Sequence, residues 1–132
     1  MVDKARFELG LAKRRATLGK DYVDKALANA TPFSREFQEL VTEYCWGAGW
    51  GDETLNARTR SMLNLTMIAA LNRMHEWELH FRGALRNGVT VPELKAIITQ
   101  ITIYCGVPAG VECHRIANRV LAEEGRAEDG KA

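Results

Sequence analysis

Residues 57–71 constrain the fold more than any other stretch of the chain. Met62, Leu63, Leu65, Met67, Ile68, Ala69, Ala70 and Leu71 cover nearly the whole circumference of a helical wheel. A helix that is apolar all round needs cover on every side, so the segment is expected to be the buried central helix of a helical domain. The flanking sequence supplies helices to cover it. Residues 3–16 and 21–29 are helix-compatible but weakly patterned. Thr31-Pro32 is a capping residue followed by proline, and Phe33, Phe37, Leu40, Val41 and Tyr44 then recur as one apolar stripe. The three glycines of WGAGWGD, Trp46 to Asp52, are expected to break that helix.

Beyond the central segment, a helix is expected over about 75–87, stopped by Asn87-Gly88. Thr90-Val91-Pro92-Glu93 is a capping-box pattern opening a helix with Leu94, Ile97, Ile98, Ile101 and Tyr104, which runs to Gly106. The β-branched run ITQITIYC has strand-like composition, but its capped start, its length and the lack of a partner strand decide for helix. Pro108 starts the last helix, with the stripe Cys113, Ile116, Ala117, Val120 and Leu121. The expectation is an all-α chain of about six helices, one domain over 1–132, with a frayed polar tail at 125–132.

Composition removes several classes of function. Eighteen basic against seventeen acidic side chains give a net charge of +1, with no basic stripe, which argues against nucleic acid as a partner. No apolar run approaches the roughly eighteen residues that cross a bilayer. The start MVDKARFELG carries charges where a signal peptide is apolar, so no membrane association and a cytoplasmic location are expected. Three cysteines, with no Cys-x-x-Cys, His-Glu-x-x-His or Gly-rich phosphate loop, speak for a reducing compartment and against a metal site.

Few residues offer chemistry. His80 follows Glu76 by four positions at the border of the arc of Trp77, Phe81, Ala84 and Leu85, so the carboxylate can reach the imidazole. A raised pKa and proton donation near neutral pH are expected; the same pattern also fits a histidine packed there for structural reasons. Glu43 precedes the glycine-rich run that Trp46 and Trp50 flank, and these aromatics suit either a pocket wall or core anchoring. Arg58 and Arg60 open the central helix and Arg14-Arg15 close the first. Guanidinium groups near a pocket bind carboxylates through two parallel hydrogen bonds, although any one of them alone is most often a surface charge.

The blocks EYCWGAGW (43–50), RTRSMLNLTMIAAL (58–71), ELHFRGALRNGVTVPEL (78–94) and YCGVPAGVE (104–112), preceded by GLAKRRATLGKDYVDKAL (10–27), resemble the carboxymuconolactone decarboxylases. The resemblance covers the chain from about residue 8 to 122. It implies an alkylhydroperoxidase-D-like all-α fold, assembly as a ring-like homo-oligomer (trimer or hexamer), and no cofactor. Redox relatives in that superfamily carry Cys-x-x-Cys-x-x-x-His. Their histidine falls on His80, but their cysteines fall on Arg73 and Glu76, so dithiol chemistry is not expected at this site.

By resemblance, the expected activity is cofactor-independent decarboxylation of 4-carboxymuconolactone, a dicarboxylate lactone, to 3-oxoadipate enol-lactone and CO2. The substrate is its own electron sink, because electrons left by departing CO2 flow onto the conjugated lactone carbonyl. On this expectation His80, oriented by Glu76, is the proton donor or oxyanion stabiliser, and Glu43 is a shuttle or electrostatic push. Arg58, Arg60 and Arg15 hold carboxylates, and Trp46, Trp50 and Tyr104 form walls. The alternatives are a paralogue decarboxylase on another carboxylated lactone, an alkylhydroperoxidase-D-like stress protein, and a non-catalytic binder of aromatic-acid metabolites.

Overall fold

The structure is a computed structural model that describes residues 3–126, and every element among them is helical. The order is α1 (Lys4–Leu18), α2 (Lys20–Ala28), α3 (Arg35–Leu40), a π-helix (Val41–Gly49), α4 (Ala57–Ala70), α5 (Met74–Arg86), α6 (Val91–Cys105) and α7 (Val107–Glu123). The chain forms two compact units, one ending at Arg60 and one beginning at Ser61, with the division inside α4. No helix among the described residues is long and apolar enough to cross a membrane.

The first unit is organised by α1 against the π-helix. Asp3 caps α1 by accepting from the Arg6 backbone N–H at 2.9 Å. Gly10 and Gly47 let the two backbones meet: a Cβ on Gly10 would lie 1.9 Å from the Thr42 carbonyl oxygen, and one on Gly47 would lie 2.4 Å from that of Arg6. The expected break within Trp46–Asp52 falls at its far side, after Gly49. The helix widens instead of ending, runs through Gly47 as a π-helix, and stops at Trp50, whose N–H donates to the Cys45 carbonyl five residues back. Close approach to α1 is what these glycines provide. The stripe that begins at Phe33 faces outward: Phe33 is 98% exposed, and Phe37, Leu40 and Tyr44 are exposed too.

The second unit is built on a conventional apolar core. Trp77 and Phe81 of α5, both fully buried, stack at 5.2 Å, and the Trp77 indole N–H donates 3.0 Å to the Leu65 carbonyl of α4. Leu94, Ile98 and Ile101 of α6 and Cys113, Ile116 and Val120 of α7 complete the layer. The capping box at Thr90 and Glu93 forms with both its hydrogen bonds. The central helix departs from expectation. Only Ser61, Leu65 and Ala69 of α4 are buried, while Leu63, Met67 and Leu71 are exposed, because one chain has too few helices to cover a fully apolar one. At the end of α7, Gly125 at φ +69° and the Arg126 N–H, which donates 2.7 Å to the Leu121 carbonyl, close the helix. The rest of the expected frayed tail lies outside the described residues.

Candidate active site

In the second unit, α5 sets His80 one turn after Glu76 and next to fully buried Phe81. His80 is mostly enclosed, and its Nδ1 is a buried atom with no hydrogen bond within the described chain. Desolvation lowers its pKa to about 4, against a weaker upward pull from Glu76. The expected raised pKa is therefore corrected. Glu76 is exposed and water screens its charge, so its pull is too weak to match the cost of charging a largely desolvated imidazole. At neutral pH His80 is an uncharged ring, able to donate one hydrogen bond and accept another.

Midway between Glu76 and His80 in sequence, Glu78 is bound by Arg119 and Arg82, which also reach Glu123. Arg119 in the first place, then Arg82, hold the Glu78 carboxyl down to about 2. This network ties α5 to α7. Asn87 donates 2.9 Å to the hydroxyl of fully buried Ser61, fixing the end of α5 to α4. Tyr104 stands 79% exposed beside a cleft of about 300 Å³ that Thr66, Gln100, Ile101 and Cys105 also line.

The first unit holds the other expected residues. Trp46 and Trp50, both buried, stack with centroids 4.6 Å apart, so they act as core anchors of the π-helix. Glu43 is occupied: it accepts from the Asp3 N–H at 3.1 Å and lies 3.7 Å from an Arg6 guanidinium nitrogen. Arg15 pairs with Asp24 at 2.7 Å. Arg60 donates to the carbonyls of Leu55 and Asp52, holding the turn before α4, and Arg58 is partly buried at the same helix start.

A carboxymuconolactone decarboxylase family model matches residues 35–119. The chain belongs to that family. It is 34% identical to a 4-carboxymuconolactone decarboxylase of Acinetobacter baylyi, an alignment covering 96% of this chain and 95% of that protein. It is 39% identical to a nitrosuccinic acid decarboxylase of Metarhizium robertsii, over 87% of this chain and 80% of that one. A 4-carboxymuconolactone decarboxylase of Pseudomonas putida is 40% identical over 36% of this chain. The expected activity class, carboxy-lyase, therefore holds.

Within this family member, the sequence places Arg14 beside Arg15, but of the two only Arg15 is expected to hold a carboxylate. Arg14 is 6% exposed, its Nη1 donates 3.1 Å to Thr42 Oγ1, and its Nε is buried without a hydrogen bond. The signal was in the spacing. Gly10, Arg14, Thr17 and Leu18 follow one another at four, three and one residues and form the buried face of α1, while Arg15 is turned about 100° away.

Proposed function

We propose that the chain decarboxylates a small dicarboxylic acid whose reacting carbon also bears an oxygen-rich electron sink, with 4-carboxymuconolactone as first substrate. The observation that supports this reading is the enclosed, uncharged His80 in a family of decarboxylases. Breaking the bond to the departing carboxylate releases CO2 and leaves an electron pair that moves onto the lactone carbonyl. Protonation beside that carbonyl completes the step, with one proton consumed overall. Charge thus develops on an oxygen, and an uncharged imidazole N–H in a desolvated setting is suited to donate to it. The low pKa favours this role for His80 over that of a proton-carrying imidazolium. Glu76 is proposed to bias the ring's orientation, and Glu43 to hold the start of α1 through Arg6.

A second reading comes from the nitrosuccinic acid decarboxylase. In nitrosuccinate and in 4-carboxymuconolactone alike, the reacting carbon bears a carboxylate, a carboxymethyl arm and a sink, and both leave an anion delocalised onto oxygen. Release of CO2 from each acid, with wild type and His80→Ala side by side, tests the proposal. Release from the lactone supports the first reading, and release from nitrosuccinate alone supports the second. Release from neither overturns both.

A homo-oligomer, trimer or hexamer, is proposed as well. Its support is the exposed apolar surface of Phe33, Phe37, Tyr44, Met67, Leu71 and Ile103. Sedimentation at micromolar concentration tests it, and a monomer there overturns it.

A further inference from the structure

Arg14 is a charge that, among the described residues of the first unit, has no carboxylate bonded to it. A guanidinium does not deprotonate in proteins, so burial leaves a full positive charge to be compensated. Among the described residues its hydrogen bonding is limited to Thr42 Oγ1. That hydroxyl donates its own hydrogen to the Gln38 carbonyl at 2.8 Å, which leaves a lone pair aimed at Arg14. The acidic partner of the adjacent Arg15, Asp24, is taken by Arg15 and Lys20. The side chain that acts electrostatically on Arg14 is a phenol, Tyr22, and not a carboxylate. Gln38, one turn before Thr42, carries a second buried polar atom without a hydrogen bond, its side-chain Oε1.

We propose that Arg14, held by Thr42, is a binding site for one carboxylate of a small succinate-type acid. The Nη1 bond to Thr42 leaves the Nε–Nη2 edge, which presents two parallel N–H groups at the spacing of the two oxygens of a carboxylate. A buried water satisfies polar atoms but leaves the charge uncompensated, whereas an anion does both. The inference rests on the proposed function for the chemistry of its ligand, a carboxymethyl arm shared by both candidate acids.

The experiment follows the Arg14 Nε–H resonance of the full chain by 15N NMR while sodium succinate is added, with sodium chloride at equal ionic strength as control. Arg14→Lys assigns the peak. A saturable shift with succinate and none with chloride is expected, together with a roughly 10–100-fold loss of succinate affinity by calorimetry in Arg14→Lys. An unmoved resonance, an equal response to chloride, or undiminished succinate binding by Arg14→Lys overturns the site. If the variant fails to fold, the wild-type titration alone decides. CO2 release by the wild type keeps the two proposals apart. Release without a shift removes only this site, and a shift without release supports the site and removes the proposed reaction.

Discussion

The two units each bury a basic side chain, and solvent exclusion acts on both, yet the outcomes differ. In the second unit His80 sheds its charge: its pKa falls to about 4, and the ring sits neutral beside apolar neighbours. In the first unit Arg14 is desolvated too, and its pKa is lowered, but it starts so high that the charge persists. The difference teaches that burial alone does not define a site. What matters is whether the group can escape the cost by losing its proton. A histidine can, and becomes a neutral hydrogen-bonding ring. An arginine cannot, and needs a counter-charge.

The sharpest way to break this comparison is His80→Ala, which should lower the rate of CO2 release by roughly 10²–10⁴-fold with the fold retained by circular dichroism. A loss of less than tenfold would leave His80 a packing residue. Next in size is an acid limb in stability. The unfolded chain takes up a proton on this histidine near pH 6.5, while the folded chain holds it neutral down to about pH 4. The unfolded state therefore binds more protons in that window, and stability falls as pH falls through it, by about 3 kcal/mol in total. Denaturant melts of wild type and His80→Phe from pH 7 to 4 should differ in slope, and equal slopes would place the titration elsewhere.

In the first unit the comparison turns on contact with no room to spare. Gly10→Ala would push a methyl group against the Thr42 carbonyl and should cost about 1–3 kcal/mol by urea melts, perturbing Thr42 where it meets Arg14. An unchanged melt would show that α1 can move off the π-helix. The smallest effect is expected from Thr90→Ala, which removes one arm of the capping box on α6 and should cost about 1 kcal/mol without altering the rate.

Local signals made much of the fold legible. The Thr90–Glu93 box, the Asn87-Gly88 stop and the stripe from Cys113 to Leu121 report on one helix each, and each takes the place its pattern implies. The glycine run ends the helix as expected, but how far into the run the helix reaches was not legible, because propensity scores a residue against its own helix. Here the deciding partner is the α1 backbone, some forty positions away in sequence. The same limit governs the charges. Spacing put His80 and Glu76 on one face, but the balance of desolvation against a screened carboxylate depends on what packs around the ring. Arg14 and Arg15 are adjacent and identical in type. Only the phase of α1 against the π-helix separates the buried one from the one that pairs with Asp24.

Gly19 and Gly106 have a consequence for how such a chain can vary. Each closes one helix and caps the next, at φ 96° and ψ 137° and at φ 101° and ψ 156°, so α1 turns into α2, and α6 into α7, through a single residue. Backbone of that kind is essentially reserved for glycine. A corner one residue wide has no slack to take up an insertion, and a lengthened one would swing the following helix to a new heading. Length variation among relatives should therefore gather at the wider turns around residues 29–34 and 50–56, leaving these two corners fixed in size.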